Sequence, residues 1–234
     1  MSNFMIMSDF DGTITVQDTN NSLFDDFIPD KISKIMEKYE QNREKLGVRF
    51  ILKEGYQNLS LSRKEYKEYV RENIDIEPTF PEFLSFIRTN RIPFAVVSGG
   101  FMEGVRTTFD CHNIDIDFPL YANRLLFPEE RENQQGPDSG IKIKFMHEKE
   151  IADRDFGPVS LAKDIIIENH RQEFSSIAYL GNGRTDIQAI ETADNLLAKA
   201  GSFLDRHCSS INVEYHSFSD FREALEIIRN IYSL

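Results

Sequence analysis

Residues 4–15 read FMIMSDFDGTIT: four apolar residues run straight into Ser8 and two aspartates separated by one phenylalanine, followed by glycine and threonine. A buried carboxylate is costly unless a cation or hydrogen bonds compensate it. The stretch therefore reads as a buried strand whose end is built to hold a cation or to do chemistry. In an extended run alternate side chains share a side, which turns Asp9 and Asp11 toward one point, and Gly12 then lets the backbone bend sharply. Taken alone, Asp-x-Asp-Gly is a weak signal, because an acidic turn after a strand has the same letters.

Similar short apolar runs ending in small or acidic residues recur at Phe94–Val97, Ile177–Leu180 and Leu196–Ala198. Each reads as a fully buried parallel strand, with helix-like segments at Gly104–Phe109, Val159–His170 and Ile187–Ala193 between them. The alternation predicts an α/β fold with a doubly wound, mainly parallel sheet. Ligands of such sheets bind just beyond the carboxyl ends of the strands, where Asp9, Ser98 and Gly181 sit.

Residues 16–80 have another texture, with Phe24, Phe27, Ile32, Ile35, Met36 and Tyr39 at helical spacing and Leu46, Phe50, Ile51, Tyr66 and Val70 continuing it. The spacing predicts a helical cap inserted after the first strand, leaving 1–15 and 81–234 as the catalytic core. Alternation at Ile116, Phe118, Leu120 and again at Ile141, Ile143, Phe145 predicts a β-hairpin or flap beside the polar loop PEERENQQGPDSG, whose acidic residues read as solvated. Ser219–Tyr232, with a serine at its start, reads as a closing surface helix.

Bulk properties narrow the function. With 234 residues, 40% hydrophobic and 28% charged, the chain suits a folded domain with a smaller module. A formal net charge of −12 argues against a sequence-blind grip on nucleic acid or on an anionic membrane. No apolar run approaches a spanning helix and the start lacks a signal-peptide layout, so a soluble, cytoplasmic protein, monomer or homodimer, is expected. Cys111 and Cys208 read as reduced structural thiols, and the five histidines show no metal-ligand spacing.

Four pieces with chemistry fall at strand ends or in the following helix. Asp9 and Asp11 come first; Ser98-Gly99-Gly100 offers a hydroxyl and two close-approach amides to anionic oxygen. Lys163 is a lone cation on an apolar helix, and Asn182 and Asp186 flank a glycine turn. Singly, these read as a tight turn, a snorkelling lysine and a helix cap. Together they supply carboxylates for a hard cation, donors for phosphate oxygens and one positive charge, the set that phosphoryl transfer needs.

In this order the motifs resemble those of the haloacid dehalogenase superfamily of aspartate-based phosphatases: DFDGT resembles its first, Ser98 its second, Lys163 its third and GNGRTD its fourth. DFDGTITVQDTN, the helical insert and AVVSGG resemble the phosphoserine-phosphatase branch, above all the methionine-salvage phosphatases acting on 2-hydroxy-3-keto-5-methylthiopentenyl-1-phosphate. The resemblance implies a Mg²⁺-dependent phosphomonoesterase acting on a small phosphorylated metabolite. Asp9 is then the nucleophile that forms an aspartyl-phosphate, and Asp11 the acid and base whose carbonyl also binds Mg²⁺. Ser98, Gly99 and Gly100 hold the phosphoryl group, Lys163 neutralises its oxygens, and Asp186 anchors metal-bound water or binds the metal. Asp18 falls where that branch carries an acidic residue for an amino group, though Asp18 or Thr19 reads equally as a helix cap, and Asn20 and Asn21 could bond a hydroxyl or carbonyl. Arg49 is either a partner for a substrate carboxylate or a solvated arginine.

One departure stands out: the family places an aspartate where this chain has Asn182. An amide oxygen can bind Mg²⁺ but brings no charge. Three readings of that position follow: a phosphatase with weaker Mg²⁺ binding, a site where Asp186 takes over as ligand, and a decayed site that leaves a binding protein on a phosphatase scaffold. A phosphoserine-like phosphatase and, because the same covalent intermediate serves both, a phosphotransferase stand beside them. If Asn182 weakens the metal site, Asn182→Asp will lower the half-saturating Mg²⁺ concentration in a phosphatase titration. An unchanged value removes the argument.

Overall fold

A computed structural model describes residues 3–131, 140–147 and 158–234. The FMIMS run forms β1 (Phe4–Ser8), and four helices follow it: α1 (Thr19–Phe27), α2 (Pro29–Glu40), α3 (Arg43–Gln57) and α4 (Arg63–Asn73). The chain re-enters the sheet through α5 (Phe80–Thr89) and β2 (Phe94–Phe101), then α6 (Met102–Cys111), β3 (Leu120–Leu126) and β4 (Lys142–Lys144). The last stretch runs α7 (Lys163–His170), β5 (Ser176–Gly181), β6 (Asn195–Lys199), α8 (Phe203–Ile211), β7 (His216–Phe218) and α9 (Phe221–Tyr232). The sheet order is β4-β3-β2-β1-β5-β6-β7, parallel except for the β3/β4 pair. The doubly wound, mainly parallel sheet expected from the sequence is therefore present.

The alternation of strand side chains sorts the core. Phe4, Ile6, Phe94, Val96, Ala178 and Leu180 face α5, α6 and α9, whereas Met5, Met7, Ala95, Val97, Ile177 and Tyr179 face the α7 and α8 side. Because both faces are covered, these strands are apolar throughout, which is why they read as continuous runs. The register sets Ser8 of β1 beside Val96 of β2 and Leu180 of β5. β1 and β5 thus end within one residue of each other, and β2 carries Ser98–Gly100 past the end of β1, so these segments meet.

Helices α1–α4 gather Leu23, Phe24, Ile35, Tyr56, Tyr66 and Val70 into an apolar cluster that continues into Phe101, Leu125, Phe127, Ile141 and Phe145. The helices between the first two strands therefore pack on the β3/β4 pair as well as on one another. The antiparallel β3/β4 pairing agrees with the expected hairpin, but Ile116 and Phe118 precede the strand and most of the polar loop lies outside the described residues. Its described acids are not merely solvated: Glu130 takes Arg63 at 2.5 and 2.8 Å, and Glu129 accepts the Arg63 amide at 2.7 Å. Two boundaries also shift. Helix α7 begins at Lys163, not near Val159, and α9 is capped by Asp220, which accepts from Arg222 and Glu223, not by Ser219.

Phe80 anchors the far side of the core. Its ring lies 4.9 Å from that of Phe221 and 6.1 Å from that of Phe109, with Phe83 and Phe94 both 6.3 Å away. Removing a fully buried phenylalanine costs about 3–5 kcal/mol, the lost transfer plus the cavity left behind. Phe80→Ala is therefore expected to lower the free energy of unfolding by that amount, read as a lower urea midpoint at unchanged m-value; a cost under about 1 kcal/mol would show that the aromatic cluster is loosely packed.

Candidate active site

The end of β1 does not continue as a strand. Asp9 stays extended, and Gly12 takes the left-handed conformation (φ 71°) that an L side chain resists. The turn is pinned from several sides: the Gly12 amide donates to Thr15 Oγ1 at 3.1 Å, and Lys199 Nζ donates to the Gly12 carbonyl at 3.2 Å. A Cβ on Gly12 would lie 2.3 Å from Asn182 Nδ2, so the first and fourth sequence motifs are in contact. Asn182 Oδ1 in turn accepts from Thr13 Oγ1 at 3.0 Å.

Behind Asp9 lies Lys163, with a side-chain exposure of 0%. Its Nζ bonds Asp9 Oδ1 at 2.9 Å and Asp186 Oδ1 at 2.6 Å. Tyr179 also donates to Asp186 Oδ1, at 2.6 Å, while the amides of Asn182 and Gly183 donate to Oδ2 at 3.0 and 2.7 Å. Both oxygens of Asp186 are therefore fully engaged. The Asp186 carboxylate thus holds the lysine and the β5 turn. Burial works against charge on Asp186, but Lys163 and these hydrogen bonds outweigh it and bring its pKa below the ordinary carboxylate range. Burial likewise opposes the Lys163 ammonium, and Asp186 and Asp9 more than offset it, raising its pKa. Burial, reinforced by the charge of Asp186, drives the Asp9 pKa well up against the pull of Lys163, the one side-chain donor to its carboxyl among the described residues.

Asp11 is held from the helical side, where Thr19 at the start of α1 donates its amide to Asp11 Oδ1 at 2.9 Å. Its other oxygen lies 2.5 Å from where a Cβ on Gly100 would stand, so the glycine makes room for the carboxylate. Burial raises the Asp11 pKa against these hydrogen bonds. Ser98 is buried and its Oγ accepts the Gly100 amide at 3.0 Å. Asp9, Asp11, Ser98, Gly99, Gly100, Lys163, Asn182 and Asp186 are thus brought to one place.

A cavity of about 480 Å³ opens over this cluster, lined by Asp9, Asp11, Gly99 and Asn182 below and by Asp18, Asn20, Ile51 and Leu52 from the helices. Asp18 caps α1 through the Asn21 amide at 2.9 Å, as one of the two readings had it, and it also lines the cavity. Arg49 is not at the cavity: it donates to the His147 carbonyl at 3.1 Å and lies 4.0 Å over the Phe145 ring. Sequence reasoning missed Ser160, whose Oγ lies 2.6 Å from where a Cβ on Gly99 would stand, and Gln188, which accepts the Lys163 amide at 3.1 Å. The polar Ser160 beside an apolar helix start was the only signal for the first; a contact across 25 residues left none for the second.

Among the described residues no three His, Cys, Asp or Glu side chains form a metal cage. The polar side chains that line the cavity beside the Asp9 turn, Asp9, Asp11 and Asn182, carry oxygens, and Asn182 Oδ1 also accepts from Thr13 Oγ1. An all-oxygen set of that kind suits a hard divalent cation, with one formal charge fewer than a second aspartate would bring.

Asp18 yields a pH test. Burial and the neighbouring charge of Asp11 push its carboxyl up to about 7. A folded-state pKa above the unfolded ~3.9 means that stability is lost as pH rises between those values. Asparagine caps a helix as well as aspartate does, so Asp18→Asn isolates the charge. The stability difference, variant minus wild type, is expected to grow from pH ~4 to ~7 and then level off. A difference flat with pH means that the carboxyl is not strained.

No family model matches the chain. It is 24% identical to polyol phosphate phosphatase PYP1 of Saccharomyces cerevisiae, over 97% of this chain and 93% of that protein. It is 26% identical to the 2-hydroxy-3-keto-5-methylthiopentenyl-1-phosphate phosphatase of Lysinibacillus sphaericus, over 97% of this chain and 94% of that one. A phosphoserine phosphatase solved as a phospho-aspartyl intermediate analogue superposes with a TM-score of 0.68 at 18% identity, covering 97% of this chain and 99% of the other, and so shares its fold. Along nearly its whole length, the chain is a homologue of phosphatases and has the fold of the haloacid dehalogenase superfamily's phosphoserine phosphatases.

Proposed function

We propose that the protein is a Mg²⁺-dependent phosphomonoesterase that acts on a small phosphorylated metabolite through an aspartyl-phosphate on Asp9. The observation that carries this reading is the buried Lys163 bonded to Asp9 at 2.9 Å beneath an open cavity, beside Asp11 and the Ser98-Gly99-Gly100 turn. Core residues 1–15 and 81–234 supply the chemistry, and the helices of 16–80 act as a cap over the cavity. Mg²⁺ would be held by the Asp9 carboxylate, the Asp11 carbonyl and Asn182 Oδ1. When bound, it supplies positive charge to the phosphoryl oxygens.

An oxygen of Asp9 attacks phosphorus, and its new bond forms as the ester bond to the alcohol breaks. Lys163 keeps that carboxylate oriented and offsets charge on the transferring group, while Ser98 Oγ and the Gly99 amide donate to its oxygens. Asp11 gives its proton to the departing alkoxide. A raised Asp11 pKa, caused first by burial, suits the acid form. The same carboxylate then takes a proton from the water that attacks phosphorus, and the bond to Asp9 breaks to release phosphate. Asp186 acts by holding Lys163, not on the substrate. The methionine-salvage relative and the polyol phosphate phosphatase both support a small phosphorylated metabolite as substrate.

Asn182 is the observation that favours a second reading, a ligand-binding protein on a phosphatase scaffold. A generic aryl phosphate with Mg²⁺ separates the two. Turnover that Asp9→Asn lowers by about three orders of magnitude or more supports catalysis; binding without turnover supports the scaffold.

A further inference from the structure

The turn that leads into α7 carries a polar side chain that none of the four motifs contains. Ser160 stands three residues before Lys163 and is 1% exposed, yet it lines the cavity together with Gly99 and Gly100. Its hydroxyl has no hydrogen-bond partner among the described residues. A buried hydroxyl without a partner is costly, so one that is kept points to a partner on the cavity side. The backbone of β2 makes room for it, since a Cβ on Gly99 would lie 2.6 Å from Ser160 Oγ, closer than two such atoms can approach. Only a glycine fits there.

The other donors around Gly99 are partly spent. The Gly100 amide donates to Ser98 Oγ at 3.0 Å and is engaged within the turn. Lys163 Nζ bonds Asp9 and Asp186, which leaves one of its three hydrogens. A transferring phosphoryl group spreads its charge over three equatorial oxygens, and donors already in place stabilise that charge best. Ser160 is in place without help from its own side chain. Gln188 accepts the Lys163 amide and donates to the Leu161 carbonyl, both at 3.1 Å, and donates to the Thr185 carbonyl at 2.9 Å; the Pro158 carbonyl accepts the Arg49 amide at 3.2 Å. The turn is thus held at both ends, with Leu161 buried in the core. Its hydroxyl stands among Gly99, Gly100 and, through the Gln188 clamp, Lys163: the groups that meet the phosphoryl oxygens in the proposed reaction.

We infer that Ser160 is a further phosphoryl-binding residue, whose hydroxyl donates to an oxygen of the phosphoryl group beside Gly99. This rests on the phosphomonoesterase reading, and it adds to that site a residue outside its four motifs. No bond is made or broken at Ser160. Because nothing in the described protein pairs with the hydroxyl, its removal acts on the ligand and not on the fold.

The test uses the whole protein with Mg²⁺, an aryl phosphate as substrate and inorganic phosphate as competing ligand, in wild type, Ser160→Ala and Ser160→Cys. Alanine removes the donor, whereas cysteine keeps the volume and offers only a weak one. Both variants are expected to lower kcat/KM and to raise the inhibition constant for phosphate by about tenfold to a hundredfold, the worth of one hydrogen bond to a charged group. The urea midpoint of Ser160→Ala is expected to stay unchanged or rise. An inhibition constant unchanged in either variant overturns the inference and leaves the phosphatase reading standing, even where activity falls. So does a raised constant that comes only with a lowered urea midpoint in Ser160→Ala, which would make the side chain a support of the fold. If the wild type turns over no aryl phosphate, the phosphatase reading fails, and calorimetric binding of inorganic phosphate with Mg²⁺ decides. Binding weakened about tenfold or more by both substitutions supports the inference; equal binding, or none in the wild type, overturns it.

Discussion

The structure depends on a lysine that has no contact with water. Desolvating an ammonium costs several kcal/mol, and only well-placed carboxylates offset it. Lys163 meets two, Asp9 from the end of β1 and Asp186 from the turn after β5. Asp186 brings with it the hydroxyl of Tyr179 and two backbone amides, so every lone pair that faces the lysine network is used. Three elements distant in sequence are thereby locked at one point. The unequal sharing matters as well. Asp186 is saturated with donors and stays charged, whereas the Asp9 carboxyl has Lys163 as its one side-chain donor among the described residues and lines the cavity.

The same constraint explains what the sequence could and could not disclose. The central strands were legible because a sheet covered on both faces needs apolar residues at every position, and such runs are short and bounded. The helices of 19–73 were legible from their period. Asp9, Asp11, Ser98, Lys163 and Asn182 were legible as candidates only as a set, because each alone has an ordinary structural reading and together they fall in order at the ends of apolar strands or in the following helix. Their division of labour was not. Nothing local to Asp186 says that four donors will consume its oxygens, and nothing near Arg49 says that it will turn to the His147 carbonyl and the Phe145 ring. Ser160, Gln188 and Lys199 act through contacts between segments far apart in the chain, which one-dimensional periodicity does not carry. The cap of α9 was misplaced by one residue because Ser219 and Asp220 are both good N-caps, and only the geometry chooses.

The helices over the site connect recognition to chemistry. Thr19 and Asp18 are adjacent at the start of α1, one donating to Asp11 and the other facing the cavity. Any movement of α1 therefore changes the orientation of the Asp11 carboxyl and the shape of the cavity together. Tyr56 on α3 reaches the same turn through Asn20, and its packing against Phe24 and Phe101 ties it to the apolar cluster shared with the sheet edge. In the proposed reaction, a substrate that closes the cavity against α1 would also fix Asp11 through Thr19, which would couple specificity to rate.

The central claim is that the Asp9 carboxylate is transiently esterified to phosphate. Its most direct measurement is acid quench of the protein during turnover of an aryl phosphate, followed by borohydride reduction and peptide mass spectrometry. A phosphorylated aspartate is reduced to homoserine, and the account predicts homoserine at position 9 and at no other aspartate. Turnover with Asp9 recovered intact, or reduction at a different carboxylate, would contradict it.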